Sequence, residues 1–293
     1  MGIFDTIKYR FKQKDILVQL IIINAVVFFV FVVTAMTGKL FKLPPIDLIP
    51  YIGATSDVHL LIKRPWTVFT YMFAHKDFLH LLLNMLMLFW FGQLFLRYFS
   101  PKNLGSIYLL GGLAGAALYA LTFNTIPYYV DMNHPPMIGA SASVMAIIFA
   151  AAFYKPDAEV SLFMLFRIKV VYIAVFMFII DFISLDSNTN PGGHVSHIGG
   201  AITGYIFAGQ YLKGKDITRR INKIIDSIVN LIKPSGKKKM KVKYKKREAD
   251  YDFNQRKHND TEEIDRILDK IKSSGYSSLN AEEKKRLFDA SKK

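Results

Sequence analysis

Residues Ile16–Met36 form an apolar run broken only by Gln19, Asn24 and Thr34. A run of about 18 or more such residues is long enough to cross a bilayer as a helix. Inside lipid no water satisfies the backbone, so the chain must satisfy it internally, by helices or by a closed barrel. A cleaved signal peptide is the alternative for a run this close to the N-terminus. The run is long for one, and no Ala-x-Ala site follows cleanly. Five further apolar segments lie at about Phe78–Phe95, Leu104–Phe123, Ile138–Tyr154, Val170–Leu185 and Val195–Leu212. A short apolar stretch, Val160–Phe166, precedes the fifth. The expectation is an all-α membrane protein with six spans. Cysteine is absent, which removes disulfides, thiolate nucleophiles and thiolate metal sites.

Charge orients the spans. Lys8, Arg10, Lys12 and Lys14 precede the first, Arg97 and Lys102 follow the second, and Lys155, Arg167 and Lys169 follow the fourth. The opposite loops, Asn124–Met137 and Asp186–His194, contain no Lys or Arg. By the positive-inside rule both termini are cytoplasmic. The first outer loop, Thr37–Asp77, does carry basic residues, but it is long enough for the rule to apply weakly. A loop of that length is either disordered or functional. Its Trp66 and Tyr71 suit the bilayer interface.

The chain reads as four stretches: a cytoplasmic segment 1–15, a six-helix domain 16–212, a basic linker 213–259 and a small helical hairpin 260–293. The net charge of +15 is concentrated late, because residues 213–293 hold 24 Lys and Arg against 13 Asp and Glu. A basic tail after the last span reads first as facing anionic lipid. Nucleic acid is the rival partner, but no recognised fold accompanies the charge. In the hairpin, Asp260 with Glu263 and Asn280 with Glu283 fit capping boxes. Ile264, Ile267, Leu268 and Ile271 make a stripe at helical spacing, and Ser274-Gly275-Tyr276 ends it. Leu287 and Phe288 supply the second helix's apolar face. Such a pair is too small for a core of its own, so it should dock on the membrane domain, a second copy or a partner. The alternative is a flexible tail, since short isolated helices are marginal.

Spans two, four and six all run from outside to inside, so their first residues share one outer level. His80 and Asn84 stand at the start of span two, Ser141 at that of span four, and His197 at that of span six. His80 and Asn84 are four apart and share one helix face. Both side chains donate hydrogen bonds of the kind that hold an oxyanion. Ser141 follows Gly139 and Ala140, where small residues allow close approach and a helix N-terminus favours negative charge. Taken alone, Ser141 or Ser143 reads as a helix cap, and His197 as a buried structural histidine. Gly200 and Gly204 form a Gly-x-x-x-Gly face that brings helices close, as a serine–histidine hydrogen bond requires. His194 with His197 raises a His-x-x-His metal site, which lacks acidic or thiolate ligands nearby in sequence. A paired-aspartate site would need two carboxylates within the bundle. Asp181 and Asp186 lie at the outer end of span five, where Asp186 falls outside the bundle, no Gly-x-Gly-Asp occurs, and Asp181 reads as structural.

Together these residues resemble the rhomboid intramembrane serine proteases. The resemblance covers about Trp66–Gly209. It rests on Pro65-Trp66-Thr67, Thr70-Tyr71-Met72-Phe73, His80-x-x-x-Asn84, Gly139-Ala140-Ser141-Ala142 and His197-Ile198-Gly199-Gly200. It implies a six-transmembrane-helix rhomboid-like bundle with a small cytoplasmic helical tail. It also implies Ser141 as nucleophile and His197 as general base in a dyad, with no third residue orienting the histidine. His80, Asn84 and the Ser141 backbone would serve the oxyanion. The implied activity is a serine endopeptidase that cuts transmembrane proteins near the outer face, without a cofactor or metal. Two departures stand out: Ala142 follows the serine where many members have Gly, and Thr67 follows Trp66 where many have Arg. The expected setting is a bacterial inner or plasma membrane. Expected partners are transmembrane substrates and anionic lipid, with association through 260–293 and no nucleic acid. Two rivals stay open. A rhomboid-fold protein that binds without cutting is disfavoured by the presence of both Ser141 and His197. A transporter needs repeat symmetry or broken helices, and neither is evident.

Overall fold

The first long helix, α1 (Ile16–Leu40), begins where Asp15 accepts hydrogen bonds from the N–H groups of Leu17 and Val18. This is a helix start by N-capping. The structure is a computed structural model, and it describes residues 15–44, 47–132, 135–162, 166–187, 189–232 and 263–291. The chain forms two compact units, Met1–Lys233 and Pro234–Lys293.

In the first unit the loop expected from the sequence to lie outside contains short helices, α2 (Ile49–Ile52), α3 (Val58–Lys63) and α4 (Thr67–Thr70), with a 3₁₀ turn at Tyr71–Phe73. Asp77 then caps α5 (Phe78–Leu96) by accepting from His80 N–H. Ser100 and Pro101 open α6 (Pro101–Thr125), where the missing proline N–H costs nothing. After the short α7 (Pro127–Val130), α8 spans Ser141–Tyr154. Next come an antiparallel pair, β1 (Glu159–Leu162) and β2 (Phe166–Lys169), and then α9 (Val170–Ile183), α10 (Pro191–Leu212) and α11 (Arg219–Ile232).

Among the described residues, three helices, Ile16–Leu40, Phe78–Phe95 and Pro101–Thr125, are long and apolar enough to cross a membrane. Helices α8 and α9 are apolar but only 14 residues each. The hairpin β1–β2 is a departure from the all-helical expectation, and it occupies the short apolar stretch before the fifth segment. Glu159 pairs with Lys169 and Val160 with Ile168. Its alternating polar and apolar residues, with Asp157 and Lys169 bonded at 3.0 Å across its base, suit a strand pair.

The core is centred on α8. Every residue from Ala142 to Ala152 is buried, and α5, α6, α9 and α10 all pack against this helix. Asn24 is the polar tie to α1. Its Nδ2 donates to Leu20 O at 2.8 Å and to Tyr108 Oη at 3.2 Å, and Tyr108 Oη donates to Met72 O at 2.9 Å. On α11, Asn222 Oδ1 accepts from Ser106 at 2.7 Å and Asp226 pairs with Lys102 at 2.7 Å, so this helix is docked on α6.

In the second unit, residues 263–274 form α12 and Ala281–Ser291 form α13, with a 3₁₀ turn at Tyr276–Ser278 between them. Ile267 and Leu279 are buried. Asn280 and Glu283 make the expected capping box, with both reciprocal bonds at 2.8 Å. Glu283 also pairs with Lys270 at 2.8 Å, and Arg286 pairs with Glu263. Asp260 and the stretch Lys233–Arg247 lie outside the described residues.

Candidate active site

Small residues set the geometry around Ser141. A β-carbon on Gly200 would collide with Ala142 O, and one on Gly204 with Ala146 O. Both glycines are therefore required by the close approach of α10 to α8. The pairings Gly200–Ala142 and Gly204–Ala146 advance together, so the two helices run parallel and in register. One turn earlier, the same register puts His197 level with Gly139. On the third side Gly115 of α6 lies against both Ala142 and Ser196, with a β-carbon there 2.8 Å from Ala142 Cβ and 2.9 Å from Ser196 O.

The nucleophile candidate begins its helix without capping it. The N-cap position is Ala140, and no side chain caps α8. The half-buried Ser141 hydroxyl makes no hydrogen bond among the described residues, and it is not bonded to His197. Gly139 has φ +118°, a conformation open to glycine. The space its β-carbon would fill is 2.8 Å from His80 Nε2 and 3.8 Å from Ser141 Oγ. His80 thus lies over the Gly139–Ser141 backbone. Asn84 is buried one turn further along α5, where its Nδ2 donates to His80 O at 2.9 Å. That bond fixes Asn84 to its own helix.

His197 carries the largest correction to the sequence reading. Its Nδ1 lies 2.8 Å from Asp181 Oδ1, and His194 Nδ1 lies 2.9 Å from the same oxygen. Asp181 is therefore not a remote structural residue at the end of its helix, and the histidine does have a third group beside it. The signal was present in the spacing. Val170, Ala174 and Asp181 are the buried residues of α9, and they share one face. The view that His194 and His197 lack an acidic neighbour also fails in space, because the ligand atoms of Asp181, His194 and His197 all lie within 4.8 Å of one another. Three donors that close are what a divalent metal would require. Here the two imidazoles direct Nδ1 at Asp181.

His75 was also missed. It is fully buried, its ring is 4.9 Å from that of His80, and its Nε2 accepts from Ala140 N–H at 3.5 Å. Burial, and then the neighbouring His80, push its pKa down to about 4. The ring is therefore neutral and able to accept. The segment before Ser141 is further fixed by the paired bonds of Ala54 with Met137, both 2.8 Å, and by Gly139 N–H donating to Tyr71 O at 2.9 Å. The outer loop has its own anchors. Arg64 donates to Pro50 O at 2.7 Å and stacks 4.3 Å over Tyr51, while Trp66 Nε1 donates to Tyr51 O at 2.9 Å. Arg64, ahead of the tryptophan, fastens this loop, and Thr67 closes its turn by donating to Arg64 O at 2.8 Å.

A family described as the rhomboid domain matches residues 63–214, which is half of the chain. The chain belongs to the rhomboid family. It is accordingly a multi-pass helical membrane protein. This rhomboid is similar to RHOMBOID-like protein 12, mitochondrial, of Arabidopsis thaliana. The two are 30% identical over 162 residues, covering 52% of this chain and 48% of that protein. It is also similar to Rhomboid-related protein 1 of Caenorhabditis elegans, 32% identical over 165 residues, covering 55% and 43% respectively. The chain spans about half the length of these curated relatives or less. Residues 248–293 match a separate family of unknown function, DUF6576.

Proposed function

We propose that this rhomboid is an intramembrane serine endopeptidase. The observation that carries the reading is the convergence of His80, the Gly139–Ser141 backbone and His197 at one level of three parallel-running helices. Ser141 Oγ attacks the scissile carbonyl carbon as its proton passes to His197 Nε2. The carbonyl π pair becomes the oxyanion. His80, Asn84 and the Ser141 N–H, a first-turn donor with no intrahelical partner, stabilise it. His197 returns the proton to the amine as the C–N bond breaks, and water then releases the acyl group by the reverse sequence. The Ser141–His197 bond forms as substrate binds, since catalytic hydrogen bonds tighten in the substrate complex.

The length of α8 supports hydrolysis within the membrane. Its 14 residues rise about 21 Å, against about 30 Å of hydrocarbon. With its far end at the cytoplasmic face, Ser141 stands below the outer surface, beneath the non-helical segment 135–140. Buried or water-lined backbone of this kind is tolerated at membrane depth. Substrates are transmembrane proteins with helix-weakening segments near the outer face, since an intact helix hides its carbonyls. Residues 16–212 form the protease domain. Residues 1–15, the basic linker 213–259 and the hairpin 260–293 are cytoplasmic. The linker faces anionic lipid, and the hairpin engages a partner or a second copy.

The test is cleavage of a transmembrane reporter by wild type and Ser141→Ala, with the product terminus sequenced. Cleavage by wild type alone is expected, together with phosphonate labelling at Ser141. Equal cleavage by both proteins, or no labelling, overturns the reading.

A further inference from the structure

We propose that Asp181 is the positioning residue of His197, so that the site works as Ser141–His197–Asp181 rather than as a dyad. The inference rests on the protease reading above for its role in turnover, but the geometry behind it is independent of substrate. Asp181 is buried, with 7% of its side chain exposed. An ionised carboxylate at such a place is costly unless donors satisfy it. An ionised carboxylate has only acceptors, so both imidazoles must present Nδ1–H to it. This fixes the tautomer. His197 Nδ1 carries the hydrogen, and Nε2 keeps the lone pair that takes the Ser141 proton. A neutral histidine with the other tautomer would have no base at Nε2.

The same contact acts again when the proton has moved. His197 then becomes an imidazolium whose Nδ1–H lies 2.8 Å from the carboxylate. The Ser141 proton stays on Nε2 until it passes to the leaving amine, and Asp181 takes no proton at any stage. In other serine hydrolases a buried aspartate holds the imidazole in this way. Here the same oxygen also accepts from His194, whose ring centroid is 6.1 Å from that of His197. His194 is thus a second donor to Asp181, sharing one acceptor atom with His197.

Full-length Asp181→Asn and Asp181→Glu proteins in detergent test the assignment. Asn keeps the size of the side chain and one acceptor, so a purely structural tie between α9 and α10 survives it. Asp181→Asn is expected to lower kcat about 100-fold with KM and Tm near wild type, and to slow phosphonate labelling of Ser141 in proportion. Asp181→Glu should recover at least tenfold of that loss. Nitrogen-15 spectra of the histidines should place the wild-type His197 proton on Nδ1 and shift it toward Nε2 in Asp181→Asn. Turnover of Asp181→Asn within threefold of wild type, or a loss that only follows a fall in Tm, overturns the proposal. A wild type that cleaves nothing overturns the protease reading instead. The His197 tautomer then still decides the role of Asp181, and a wild-type proton on Nε2 refutes it.

Discussion

Helices α1 and α10 are both long, yet they are built on opposite terms. Helix α1 buries only Leu17, Leu20, Asn24 and Gly38 and leaves Phe29, Val30 and Met36 exposed. Helix α10 carries six glycines, buries Gly192, Gly193, Gly199, Gly200 and Gly204, and holds His194 and His197. In lipid, an apolar side chain gains nothing by leaving hydrocarbon for protein, so helices associate through close packing and hydrogen bonds. Apolar content therefore marks where a helix meets lipid. Small residues mark where it meets protein, and in this rhomboid that is where the candidate site stands.

Substitution is the strongest way to break this contrast. Gly200→Val places new atoms against Ala142 O, so it should abolish phosphonate labelling of Ser141 and destabilise the bundle by about 3 kcal/mol. Val30→Ala on the exposed face of α1 should change neither labelling nor stability by more than about 0.5 kcal/mol. Detergent unfolding curves of the two variants decide it. A tolerant Gly200 would remove the close-packing account.

Between these two helices, acid should act on the site side. His75 has a depressed pKa, so its contribution is complete above its ordinary value of 6.5 and is lost as pH falls through about 4. Between those limits stability should fall by as much as about 3 kcal/mol, and His75→Gln should flatten that part of the profile. A smaller effect sharpens the α1 side. Asn24→Leu removes the bond to Tyr108 and should cost about 0.6–1 kcal/mol, without altering labelling of Ser141. The least effect belongs to the hairpin. Lys270 and the Asn280 backbone hold the Glu283 carboxyl below the ordinary glutamate value. Its contribution is present above that ordinary value and fades as pH falls through the lowered one. Carboxyl NMR should show Glu283 titrating late in acid, and Lys270→Met should return it toward normal.

The sequence carried more of the site than of its support. Ser141, His197, His80 and Asn84 were legible because a polar side chain within an apolar segment is costly in lipid and marks function there. Asp181 was not, because its helix was judged by its end rather than by its face. The face is readable in the spacing of Val170, Ala174 and Asp181. The hairpin Glu159–Lys169 was hidden because an apolar stretch as short as Val160–Phe166 has no decisive period. Helix α11 was masked by its charge. Within a segment read as basic linker, Ile221, Ile224 and Ile225 stand at helical spacing among Arg219, Arg220 and Lys223. His75 gave no signal at all, since only the fold brings Ala140 N–H to it.

The two bonds between Ala54 and Met137 have a consequence in time. Each amide is protected by the other residue's carbonyl, so neither can exchange its hydrogen with water until both strands part. The outer loop and the approach to Ser141 should therefore open as one event, and their amides should share one exchange rate. The rate of that opening, rather than the exchange rate itself, bounds how often a bulky chain can enter from this side.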